Sequence, residues 1–330
     1  LLHMVNKRYI ARRLVLMVLS LFTVITVLFF LFRQVPGGPM AAFTNPRMSQ
    51  AARQAIIEQY GLNDPLWRQY LRYLENVVQL DFGQSFYYGS SVSSLIADRF
   101  LNTMSLMLTA FAISYTVGTY LGAQLGWVRG TTKERAGMVV VLFVRSMPVF
   151  WTGMVVLYVF GFQLDIFPIG RMRSTGASYE TTVQKFLSPD FLYHLVLPVF
   201  TLCTYYTGLP LLLMRNNLLE VLSETYIDTA RAKGLTSRRV LFVHAARNAI
   251  LPVVTAFAIA IGFAVGGQVL IETVFSWPGL GREMVQASLR SDYPVAQGAF
   301  TLLSVIVITM NFVADLAYTY LDPRVRLGES

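Results

Sequence analysis

Leu14-Val15-Leu16-Met17-Val18-Leu19-Ser20-Leu21-Phe22-Thr23-Val24-Ile25-Thr26-Val27-Leu28-Phe29-Phe30-Leu31-Phe32 is a run of nineteen uncharged residues between Arg13 and Arg33. At about 1.5 Å of rise per residue, a helix of that length crosses the ~30 Å of a bilayer's hydrocarbon core. Five further gaps in the charge pattern are as long: 100–128, 136–164 (interrupted by Arg145), 191–214, 248–271 and 293–314. Helices buried in a soluble enzyme rarely run so long without an ion, and six of them would leave little polar surface. The chain is 55% hydrophobic and 14% charged, where a soluble domain carries about a quarter charged residues. The fold predicted is an all-α polytopic membrane protein with six transmembrane helices. A basic start followed by an apolar run also describes a signal peptide. However, nineteen residues exceed the usual signal core, and Arg33-Gln34-Val35-Pro36-Gly37-Gly38-Pro39 lacks a small-x-small cleavage site, so the first helix is expected to be retained.

The net charge of +9 raises the question of nucleic acid, and its distribution answers it. With the N-terminus inside, segments 1–13, 129–135, 215–247 and 321–330 hold 15 of the 27 Lys and Arg, while the longer outer segments hold 11. That inside-positive bias is a membrane-topology signal. No nucleic-acid partner is expected, and an even number of spans leaves both termini cytoplasmic. The organisation read from this is a tail at 1–13, a first span at 14–32, an external cap at 33–99, a five-helix core at 100–320 and a tail at 321–330.

The cap is too long for a simple connection, and helical spacing of apolar residues predicts helices over 49–60 and 65–80, separated by Gly61-Leu62-Asn63-Asp64. Pro65 suits a helix's first position. Segments 165–190 and 272–292 read as loops, with Pro278-Gly279 matching the centre of a type II turn. Gly262, Gly266 and Gly267 in the fifth span suit close helix packing.

The inner segment 215–248 is long enough to do more than reconnect two spans. Asn217–Lys233 reads as one amphipathic helix stopped by Gly234, with Arg231 and Lys233 in its last turn. Thr236 or Ser237 would cap a second helix running through Arg247 into the fifth span. A projecting helix pair with Ala230 and Ala232 on it suits docking by another protein.

Within this segment, Tyr226-Ile227-Asp228-Thr229-Ala230-Arg231-Ala232-Lys233-Gly234-Leu235 and His244-Ala245-Ala246-Arg247-Asn248-Ala249-Ile250-Leu251-Pro252 resemble the coupling segment of bacterial ABC-importer permeases, most closely the dipeptide, oligopeptide and nickel branch. Asp228-Thr229-Ala230 stands where the general motif has Glu-Ala-Ala, and Leu251-Pro252 falls five residues late. Asp81-Phe82-Gly83-Gln84-Ser85, Ser146-Met147-Pro148-Val149-Phe150-Trp151, Phe275 to Arg282, Asp292-Tyr293-Pro294 and Asp322-Pro323-Arg324 extend the resemblance along the chain, and the long first outer segment is similar to the first-listed permease of such pairs.

The resemblance implies a multi-pass protein of the prokaryotic inner membrane and a non-catalytic permease. Its implied partners are a second homologous permease, two ATPase subunits that bind ATP and Mg, an external solute-binding protein and a peptide cargo. Oligosaccharides and chelated nickel are cargoes of similar machinery. Glu224, Tyr226, Asp228, Thr229, Ala230, Ala232, Lys233, Gly234 and Leu235 are the implied ATPase contacts, with Ala230 and Gly234 allowing close approach. Trp277, Pro278 and Gly279, with the cap, are candidates for receiving the binding protein.

The residues themselves speak against rival classes. Lys7, Lys133, Lys185 and Lys233 are followed by Arg, Glu, Phe and Gly, so none ends a phosphate-binding loop. An ATP-driven mechanism would therefore have to receive its energy through partner subunits. His3, His194 and His244 are scattered and Cys203 is the sole cysteine, so neither a catalytic residue nor a metal site is expected. An ion-driven secondary transporter usually buries acids in its spans, and no acid interrupts the six gaps. Arg145 is a translocation-pathway candidate, equally readable as a snorkelling cation.

Overall fold

The computed structural model of the chain describes residues 7–34, 63–177, 179, 181–264 and 268–321. The predicted helix over 49–60, the turn at Gly61-Leu62, Gly266, Gly267 and the Asp322-Pro323-Arg324 motif lie outside these residues. The described residues form helices, joined by loops with one isolated antiparallel bridge between Gln84 and Ser91. Four helices are long and apolar enough to cross a membrane, and six spans result when two bent helix pairs are each counted as one. The chain divides into two compact units, residues 1–103, 265–269 and 278–330 in one and residues 104–264 and 270–277 in the other.

In the first unit, α1 (Lys7–Gln34) packs along α15 (Tyr293–Leu321). The cap helix α2 (Leu66–Val78) sits near the predicted position, with Pro65 one residue earlier, as the N-cap. Phe29 stacks on Tyr73 at 5.5 Å and meets Tyr70 edge-on at 5.2 Å, and Thr26 and Tyr70 share a 2.6 Å hydrogen bond. These contacts hold α2 to the end of α1. The long helix α3 (Val92–Trp127) begins eight residues before the expected span. Phe32, Val92, Ile96, Leu280, Val295 and Ala299 form the core of this unit.

The second unit is built on close contact between α3 and α8 (Gly208–Val221). Gly118, Gly122 and Gly126 recur every four residues on α3, one helical face. A methyl group at Gly118 would lie 2.7 Å from the Thr207 carbonyl oxygen, and one at Gly122 would overlap the Leu211 carbonyl oxygen. Bare backbone on α3 thus lets α8 approach as small residues do in membranes. α7 (Pro189–Tyr206) leads into α8 and completes one span. The third span is bent by 95° between α4 (Thr132–Ser146) and α5 (Val149–Val156), the latter continuing as a π-helical turn to Gln163. The cause is Pro148, which disfavours helical backbone at Met147, found extended at φ −74°, ψ 137°.

Three sequence expectations need correction here. Segment 165–190 contains α6 (Thr182–Leu187), a single helical turn and a half. Segment 272–292 is not a loop, since α13 (Val269–Val274) enters it and α14 (Leu280–Leu289) fills its second half. The type II turn is absent, because Gly279 has φ −90°, ψ 174° and serves as the N-cap of α14.

Candidate functional site

The inner segment breaks where continuous helix was expected. α8 ends at Val221, and a separate eight-residue helix, α9, runs Thr225–Ala232. Glu224 is its N-cap, with extended backbone. Asp228 in the first turn and Arg231 in the last suit the helix dipole and lie 3.3 Å apart. The stop is a Schellman motif: the Gly234 N–H donates to Arg231 O at 2.9 Å and the Leu235 N–H to Ala230 O at 3.4 Å. Gly234 has φ +74°, and nothing lies within 4 Å of where its Cβ would be. Glycine is thus needed for its backbone angle, and within this chain the space beside it is open.

Ile227 and Ala230 are buried, one turn apart, in a core with Val240, Leu241 and Ala245. Ala230 therefore allows α9 to seat on its own chain, which corrects its assignment to a partner-facing surface. Glu224, Tyr226, Asp228, Thr229, Ala232, Lys233 and Gly234 are exposed, and Leu235 is half-buried. The Asn248 side-chain amide donates to the Tyr226 hydroxyl at 2.7 Å. α9 is thereby fixed to the next element, which comprises α10 (Ser237–Arg239), a π-helical turn (Val240–Ala245) and α11 (Ala246–Ala249). Thr236 occupies the N-cap of α10 as expected, without a side-chain bond. A 53° bend at Ile250 then leads into α12 (Leu251–Ala264), the described part of the fifth span. A second clamp joins α4 and α8: Arg215 Nε donates to Glu134 Oε1 at 2.9 Å, its Nη2 to the same oxygen, and the Gly130 N–H to Oε2 at 2.6 Å.

The sequence-chosen docking residues lie elsewhere than expected. Trp277 is fully buried, 5.8 Å from the Phe191 ring, so it offers no surface to a partner. Gly279 is buried and Pro278 half-buried, its carbonyl accepting from Asn102 at 2.9 Å. Arg145 sits at the elbow of the third span with its stem against Gly208, whose Cβ would come 2.9 Å from Arg145 Cδ.

Two motifs far apart in sequence meet in the first unit. Asp292 is buried and accepts from Ser85 Oγ and, at 3.1 Å each, from the Phe86 and Tyr87 N–H groups. Beside it, Glu283 accepts from Arg99 Nε at 3.1 Å and Tyr88 OH at 2.9 Å. This network pins the hairpin 83–91 to α15 and α14. The motifs were visible as separate family signatures, but their pairing was not.

Sequence reasoning also missed a groove of about 580 Å³ between α3 and the α11–α12 bend. Tyr115, Thr116, Thr119 and Tyr120 on α3 line it, a polar stripe at helical spacing that would have signalled it. Arg145 is not among its lining residues.

The profile of the family described as binding-protein-dependent transport system inner membrane component matches residues 114–327, and that of its N-terminal region matches residues 6–107. The chain belongs to this family of integral inner-membrane permeases, whose members are non-catalytic subunits of ABC transporters. It is 38% identical to the oligopeptide transport system permease protein AppB of Bacillus subtilis (strain 168) over 96% of this chain and 98% of that one. It is 37% identical to the di/tripeptide transport system permease protein DppB of Pseudomonas aeruginosa (strain UCBPP-PA14), over 96% and 98%. With the dipeptide transport system permease protein DppB of Escherichia coli (strain K12) it shares 36%, over 97% and 98%.

Proposed function

We propose that the chain forms half of the pathway of an ATP-driven importer, paired with a second homologous permease and loaded by an external binding protein with short peptides. The observation that carries this is α9, a short helix held rigidly to its own chain by one face and presenting Tyr226, Asp228, Thr229, Ala232 and Lys233 outward. Two ATPase subunits, binding ATP and Mg, would each grip a permease there; in this chain Glu224 and Leu235 flank the grip. The inside-positive charge pattern supports a cytoplasmic position for α9 and both termini. Closure of the ATPases displaces α9, its core and the Tyr226–Asn248 bond carry the displacement to α11, and α12 reorients about the bend at Ile250 as a rigid element. Peptide is the favoured cargo because the similar permeases are named for peptides; oligosaccharides and chelated nickel are the alternatives. The exposed Trp67 and Leu71 of α2 are assigned to the surface that receives the binding protein.

Purification of the tagged chain in mild detergent should bring down a second permease and ATPase subunits, with hydrolysis rising when peptide-loaded binding protein is added. A chain that purifies without an ATPase would reject the proposal in favour of an ion-driven transporter. Arg145→Ala tests that residue separately, and unchanged uptake would remove it from the pathway.

A further inference from the structure

The groove between α3 and the α11–α12 bend has a defined chemistry along its length. At one end Tyr115 meets Phe257 at 5.0 Å and its hydroxyl donates to Ala256 O at 3.1 Å. At the other, Tyr120 and Phe242 stack at 5.9 Å with planes 8° apart. The α3 wall runs from Ala112 to Ala123, about 16 Å of helix. Between the aromatic ends stand Thr116, Thr119 and Arg247. Arg247 is exposed in the groove and makes no ion pair or hydrogen bond among the described residues. A guanidinium carries its charge at any physiological pH and matches a carboxylate with two parallel donors. Arg247 is the one charged side chain among the groove's lining residues, and an unpaired guanidinium there suits an anionic ligand.

We propose that this groove is a transient binding site for a short peptide, with Arg247 taking the C-terminal carboxylate and the two aromatic pairs bounding the chain. The inference rests on the peptide-importer reading and adds to it a residue that discriminates free acids from neutral ends. The volume falls within the roughly 300–1,000 Å³ usual for small-ligand sites. At about 3.3 Å per extended residue the wall accommodates up to about four residues. Thr116 Oγ1 already donates to Ala112 O at 2.7 Å, leaving its lone pairs to accept a peptide N–H.

The test uses the complete importer in nanodiscs, with Cys203→Ser removing the sole cysteine and Thr116→Cys placing one in the groove. Trialanine and trialanine amide are compared as protectants of that thiol against a maleimide. Protection by the acid at concentrations roughly tenfold or more below those the amide requires, lost in Arg247→Gln and kept in Arg247→Lys, is the expected result. Equal protection by both peptides, protection indifferent to Arg247→Gln, or no protection at all would overturn the site. Trialanine uptake by the unaltered complex in proteoliposomes, measured in parallel, decides the peptide reading on its own.

Discussion

Gly234 shows how much one residue's chemistry can be read and how much cannot. Its place as a helix stop followed from the sequence, because a glycine after basic residues marks a helix's end. That it faces open space did not, since φ and neighbours are set in three dimensions. Gly234→Ala should cost about 1–2 kcal/mol through its left-handed backbone alone, read as a lower thermal midpoint of the purified complex. Gly234→Trp should in addition uncouple ATP hydrolysis from uptake, because a bulky group would stand in the proposed ATPase contact; unaltered coupling would count against that contact. Trp277 is the opposite case. An aromatic in a Pro/Gly-rich segment reads as exposed, yet it is fully buried against Phe191, because an apolar ring near the membrane gains by leaving water.

Among elements, the charge-free gaps coincide with the four long apolar helices and the two bent pairs, because hydrocarbon excludes ions over a fixed thickness. The breaks within elements were less legible. Nothing between Asn217 and Lys233 forbids helix, and α8 and α9 separate at residues 222–224 because Ile227 and Ala230 must turn onto Val240 and Leu241. The elbow at Pro148 had its cause in plain view, and its 95° angle did not. The α3–α8 contact makes a sharper prediction. Gly122→Ala should destabilise the complex by about 1–3 kcal/mol through overpacking against Leu211. Gly130→Ala meets no atom within 4 Å but has φ +81°, so its smaller cost should be strain alone. Equal thermal midpoints for wild type and Gly122→Ala would mean that α3 and α8 pack more loosely than described.

For the whole molecule, the inside-positive pattern predicts sidedness. With Cys203→Ser as background, a cysteine at Tyr87 should react with a membrane-impermeant maleimide in intact spheroplasts. A cysteine at Lys233 should react only after the inner membrane is opened. The reverse pattern would invert the topology and remove α9 from the compartment where ATP is.

Asp292 adds a consequence in time. It stands 207 residues after the Ser85 it holds, and at about 5–20 residues per second of synthesis its carboxylate emerges roughly 10–40 s later. Until Glu283 and then Asp292 emerge, the hairpin 83–91 lacks both carboxylates that pin it, and a chain that ends before Glu283 acquires neither. An unfastened hairpin near the chain's beginning is thus a local mark of whether residues close to its end have been made.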